Sequence, residues 1–345
     1  MSRQRAILPV ILSLSGAAAG RGAAAQRPLA AATVRRAPPA PTKLTIEPSQ
    51  PGTGSLVRVV IPTKPGDSVR VASGELAGEA LHFLPTTGGR RIALGAIPLD
   101  ASDSVVARVI VDRASGAIDT LRTVLHYPHH PPAAPAPAAP ARRATRAPGA
   151  RRLRVDPKFT QRMDAETEAR IEHDNELARE VGRRAHDTPQ LWTFPFLRPR
   201  DSRVTSRFGS GRVFNGRLSS SHLGIDYRGA EGDPIVAANR GVVALVAEFF
   251  LAGNVVYIDH GAGVVTGYFH MSKPEVSVGD TVQRGQEIGL VGATGRVTGP
   301  HLHWSARFGA LTIDPADLLS LSAPFIAPDS APKKPASKPA PKRKP

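Results

Sequence analysis

Five histidines and one aspartate between residues 222 and 303 have the types and spacing for chemistry. HLGID, residues 222–226, sets His222 and Asp226 four apart, and TGPHLHW, residues 298–304, sets His301 and His303 one residue apart. His270 closes GYFH, and His260 sits in IDHGAG. Imidazole nitrogen and carboxylate oxygen are donors that Zn2+ takes, and catalytic zinc sites keep three protein ligands and one open position. On an extended chain side chains alternate, so His301 and His303 share one face while Leu302 and Trp304 share the other. His222 and Asp226 also fall on one face, but a straight strand would part their α-carbons by roughly 13 Å. A bend near Gly224 is therefore expected. One histidine of the HLH pair could then supply a third ligand. The other, together with His270, is left to accept a proton or to hold a developing oxyanion. Two neutral imidazoles and a carboxylate on Zn2+ leave a site of charge about +1, where the pKa of a fourth-position water falls toward roughly 7.

Other chemistries are excluded. The chain has no cysteine, which removes disulfides, thiolate metal sites, cysteine nucleophiles and a lipid-attachment cysteine. There is no H-E-x-x-H with a glutamate base and no G-x-S-x-G elbow, so Ser219 to Ser221 read as loop residues. The remaining histidines have bland readings. His82 is expected to be a partly buried structural residue, His129 and His130 belong to a linker, and His173 and His186 to a polar helical region.

The 345 residues suggest about two domains. Arg3 and Arg5 precede an apolar run, Ala6 to Leu14, and alanine-rich cleavage sites, which reads as an export signal over 1–25, cut after Ala19 or Ala25. A linker, 26–42, follows. Residues 43–127 show short β-branched runs punctuated by turns, the pattern of a small, immunoglobulin-like β-sandwich. Residues 128–155 are a stiff Pro/Ala/Arg-rich linker. A helix is expected over 156–185, with Asp156 as N-cap, Pro157 in the first turn and an end near Gly182. Residues 190–322 return to short strands and glycine turns, a compact antiparallel β-domain, and 323–345 form a disordered basic Pro/Lys tail. The expected fold class is thus mainly β.

Net charge is +16, and fifteen of those charges lie in residues 1–25, 128–154 and the last fifteen positions. Basic flexible segments favour anionic surfaces, such as wall polymers or lipid headgroups, or simply solvate the chain end. They lack interleaved aromatic residues, so no specific nucleic-acid surface is expected. The sequence does not set the oligomeric state.

SRFG at 206–209, HLGID at 222–226, YFHM at 268–271, VGATG at 291–295 and TGPHLHW at 298–304 occur in order. Together they resemble the lysostaphin-type (M23, or LytM) zinc metallopeptidases, over roughly residues 190–320. The resemblance implies a duplicated-hybrid-motif β-fold and one zinc per chain. It implies His222, Asp226 and His303 as ligands, with His270 and His301 as the catalytic pair. It also implies cleavage of peptidoglycan stem peptides or cross-links, for which export to the periplasm, cell envelope or exterior is apt. Met271 stands where the family commonly has leucine. GRVFNGRLSSS, 211–221, lacks the tyrosine that some glycine-bridge-cleaving relatives carry. His260 is not among the family's ligands and reads as a turn residue. A non-enzymatic LytM-type activator of a cell-wall amidase is the alternative, but such regulators typically lack ligands that this chain keeps. A carrier-like hybrid-motif domain, suggested by VGDTVQRGQEIG at 278–289, would need a modifiable lysine in a hairpin or a phosphoryl-accepting histidine, and this stretch has no lysine.

Overall fold

The structure, a computed structural model, describes residues 43–63, 66–86, 89–101, 104–126, 151–216, 218–321 and Phe325. The expected export signal, the 26–42 linker, most of the Pro/Ala/Arg-rich segment and nearly all of the basic tail lie outside these residues.

Eight strands come first among the described residues: Thr45–Glu47 (β1), Leu56–Ile61 (β2), Val69–Leu76 (β3), Glu79–Ala80 (β4), Leu84–Pro85 (β5), Arg91–Ala96 (β6), Ser104–Arg113 (β7) and Ile118–His126 (β8). They form two four-stranded antiparallel sheets, β1-β2-β6-β5 and β4-β3-β7-β8. Val57, Val59 and Ile61 meet Val105, Val109 and Val111 in one core between the sheets. The alternate residues of the first sheet, Leu56, Val60, Ile92 and Leu94, are buried in a second core with the C-terminal region. Burial on both faces explains why LVRVVI and IALGAI are nearly continuous apolar runs.

Residues 151–153, expected to be linker, instead form a strand, Arg151–Leu153 (β9), parallel to a later one. The helix also starts later than its sequence suggests. Asp156 caps only a short 3-10 turn, Pro157–Phe159, while Asp164 caps the helix Ala165–Arg184 (α1) through its bond to Thr167 N. The helix ends at Arg184, near Gly182 as expected, though the glycine is not its terminus. A Cβ there would stand 1.9 Å from the Gly309 carbonyl oxygen, so the glycine permits close packing instead. Ala178, Val181 and Ala185 seat α1 on Phe249, Val255, Tyr257 and Val265.

Twelve strands follow: Val204–Ser206 (β10), Gly211–Phe214 (β11), Leu218–Ser221 (β12), Ile225–Arg228 (β13), Pro234–Val236 (β14), Gly241–Phe249 (β15), Gly253–Gly261 (β16), Val264–Pro274 (β17), Thr281–Val282 (β18), Glu287–Val291 (β19), His301–Phe308 (β20) and Leu311–Ile313 (β21). A short helix, Pro315–Leu319 (α2), comes last among the described residues. The main sheet runs β10-β13-β20-β17-β16-β15-β18, with β19 joined to β17, β14 to β19, and β21 to β20. A three-stranded sheet, β12-β11-β9, stands beside it. The chain is mainly β, as its sequence indicates. Ser219–Ser221 are part of β12 rather than a loop, paired with β11. Phe325, assigned to the tail, is buried and bonded through its carbonyl to Gln190 Nε2 at 3.2 Å.

Candidate metal centre

Strand pairing puts Asp226 of β13 opposite His303 of β20, and His303 opposite Phe269 of β17. Leu302 and Trp304 are fully buried on the other face, which fixes the direction of both HLH histidines. Gly224 lies in a bend just before β13, and a Cβ there would come within 2.6 Å of the His303 ring and 2.5 Å of the Trp304 carbonyl. Only glycine allows that approach, and the bend turns His222 back over Asp226.

Three donor atoms converge. His222 Nε2, Asp226 Oδ1 and His303 Nδ1 are each 2.9 Å from the other two. All three side chains are buried, and among the described residues this is the group whose donors could share one ion. A tetrahedral ion with bonds near 2.0–2.2 Å holds its donors roughly 3.3 Å apart. The spacing is within a few tenths of an ångström of that, so the donor set fits zinc with a fourth position free. His222 Nδ1 lies 2.9 Å from the Arg207 carbonyl, which only accepts. The proton therefore sits on Nδ1, and Nε2 turns its lone pair into the cluster.

His270 is delivered by a β-bulge. Between the pairs Val256–Tyr268 and Asn254–Met271, β17 has two residues where β16 has one. The extra residue adopts φ of 63°, a left-handed conformation unusual for a side chain other than glycine. Its Nδ1 donates to the Thr294 carbonyl at 2.8 Å, and His301 Nδ1 donates to the Gly299 carbonyl at 2.8 Å. Both rings thus present a free Nε2. Their centroids are 4.9 Å apart, and His301 Nε2 is 3.7 Å from Asp226 Oδ1.

Burial pushes His270 well below its usual pKa, with repulsion from His301 and His303 adding to it. Burial likewise takes His303 down to about 4, against the pull of the Asp226 carboxylate beside it. For Asp226 burial acts upward, but the His222 and His303 rings close against it outweigh that and hold the carboxyl well below the usual carboxylate range. His303 is therefore a neutral imidazole beside the Asp226 carboxylate, with His270 a second neutral imidazole at the edge of the cluster.

Sequence reasoning missed Arg212. Its guanidinium on β11 bonds Asp226 Oδ2 and leaves Oδ1 for the cluster. The stretch that lacks a tyrosine thus sends an arginine to the site. Phe269, stacked on the His303 ring at 5.1 Å, was also missed. Neither has a signal in the sequence, since both act across strands distant in the chain. His260 is not a turn residue. It is fully buried in β16, with Nδ1 donating to the Arg240 carbonyl at 2.8 Å and Nε2 accepting from Thr266 Oγ1 at 2.8 Å. His186 is drawn out of the polar helix region, its Nε2 2.9 Å from Glu79 Oε2 and its Nδ1 2.9 Å from His82 Nε2.

Residues 220–315 match the model of Peptidase family M23. The chain carries a lysostaphin-type M23 peptidase domain. The peptidoglycan DD-endopeptidase ShyA of Vibrio cholerae is 38% identical over 143 residues, which cover 41% of this chain and 32% of that protein. ShyC, a peptidoglycan DD-endopeptidase of the same organism, is 44% identical over 104 residues, 30% of this chain and 24% of its own. The chain therefore spans about a quarter to a third of these relatives. A Pseudomonas aeruginosa crystal structure assigned to peptidase M23 superposes with a TM-score of 0.56 at 25% identity, over 78% of this chain and 95% of that one.

Proposed function

We propose that this protein is an exported zinc metalloendopeptidase that hydrolyses peptide bonds in bacterial peptidoglycan. His222, Asp226 and His303 hold one zinc per chain, and His270 and His301 are the catalytic residues. Bound zinc supplies a Lewis acid and a water acidic enough to ionise near neutral pH. The free Nε2 atoms of His270 and His301 take protons, and a ring that has taken one returns it or uses its N–H to stabilise negative charge on the peptide oxygen. Arg212 keeps the Asp226 carboxylate oriented. The bulge at His270 and the alternation of HLH fix the two catalytic rings relative to the ligands. Acting on the wall places the protein in the cell envelope or outside it.

The observation that carries this reading is the meeting of three donors at 2.9 Å beside two histidines with free Nε2 atoms. The peptidoglycan-cleaving relatives supply the substrate class. The test is digestion of purified peptidoglycan by the full chain, with mass spectrometry of the muropeptides. New peptide termini, abolished by a chelator and restored by zinc, are expected. Intact stem peptides after zinc-replete digestion would overturn the reading. Fragments appearing only when an amidase is added would instead identify an activator.

A further inference from the structure

Arg296 is a largely buried cation that this mechanism does not use. Its guanidinium lies 4.3 Å from the centre of the Phe214 ring, and among the described residues no carboxylate is within ion-pair distance. It lines a cavity of about 270 Å³ together with Arg151, Arg212, Arg228, Thr298 and His301. Among the described residues the one acid at this cavity is Asp226, whose oxygens are already taken by Arg212 and by the histidine cluster. Burial, with Arg212's charge added, lowers Arg296 to about 10, so it is still charged at neutral pH. A desolvated guanidinium with no counter-charge is costly unless an anion completes it. An arginine fork matches a carboxylate in a bidentate, planar contact.

We infer that this arginine-lined cavity is a carboxylate-binding subsite, which seats a free carboxylate of the substrate peptide beside the scissile bond, with Arg296 as its main contact and Arg228 at its mouth. The inference rests on the peptidase reading above. His301 borders both the cavity and the donor cluster. A carboxylate held by Arg296 therefore belongs to the peptide being cut rather than to a distant part of the wall. The subsite favours stem peptides that keep a free carboxylate near the cleaved bond over peptides amidated there.

The test compares two synthetic cross-linked stem peptides that differ only in having that carboxylate free or amidated. Binding to the zinc-loaded full chain is measured by calorimetry, and cleavage by chromatography. Wild type should bind the free acid at least tenfold more tightly, the scale of a hydrogen-bonded charge pair. Arg296→Gln should bring the ratio close to one, and Arg296→Lys should fall between. Arg228→Gln, at an exposed position, should lower the ratio two- to threefold and covers the case in which the Arg296 variants do not fold. Equal binding of acid and amide by wild type, or an undiminished ratio in a folded Arg296→Gln or in Arg228→Gln, would overturn the subsite. Acid preference in binding without cleavage would overturn the peptidase reading and leave the subsite standing. Cleavage without preference would do the reverse.

Discussion

Two buried histidine clusters lie on opposite sides of β17, and they differ in what their second nitrogens face. His260 on β16 gives Nδ1 to a backbone carbonyl and receives a hydroxyl proton at Nε2; that hydroxyl lies 2.9 Å from Tyr268, whose oxygen accepts from Ala238 N. Every polar atom there has a partner within the protein. His303 on β20 instead meets an imidazole lone pair and a carboxylate at equal distances. A closed network of donors and acceptors needs nothing more, whereas converging acceptors call for a cation. The same residue type on the two strands that flank β17 thus serves packing in one place and is arranged for chemistry in the other.

The comparison can be broken at several points. The largest effect is expected from His222→Ala or His303→Ala, which should abolish zinc binding and lower peptidoglycan cleavage by more than ~1,000-fold, against a metal-dependent background. Metal analysis and digestion assays read both. Next, His270→Ala should keep zinc and lose about 100- to 10,000-fold in turnover, the usual range for an acid–base residue. His301→Ala should behave alike, and loss of zinc from it would mean that the two HLH histidines exchange roles. Arg212→Gln should weaken zinc affinity or activity by about 10- to 100-fold, since the arginine orients a ligand without being one. Zinc titration against a competing chelator measures the affinity change.

The smallest effects belong to the closed cluster. Burial takes His260 down to about 4. It is neutral in the fold, while the unfolded chain protonates near 6.5. The unfolded state therefore binds more protons between those values. Stability from this residue is complete above pH ~6.5 and is lost as pH falls toward 4, by up to about 3 kcal/mol. His260→Gln should flatten that part of the stability–pH curve measured by chemical denaturation. It should cost about 1–3 kcal/mol at neutral pH and leave zinc content unchanged.

What could be read from the sequence follows the range of the interactions involved. H-x-x-x-D with a glycine inside it, and H-x-H on an alternating strand, are local patterns, so the donors and the bend at Gly224 were legible. His260 was misread because IDHGAG is rich in turn residues. The β16–β17 turn falls at Ala262 and Gly263, just beyond β16, which leaves His260 inside the strand. The serine run at β12 was misread for a related reason: polar residues on a strand with little apolar alternation look like loop. Arg212, Thr294 and the His82–His186–Glu79 cluster were beyond reach, because each contact joins segments far apart in the chain. The late start of α1 turned on which of two aspartates caps it, and both fit the local rule.

The most direct test of the account is metal content. Purified wild type, His260→Gln and His222→Ala proteins, each verified as folded, are exchanged into zinc and analysed by inductively coupled plasma mass spectrometry after removal of loose metal. The account predicts one zinc per chain in the first two and almost none in the third. Undiminished zinc in His222→Ala, or its loss from folded His260→Gln, would contradict it.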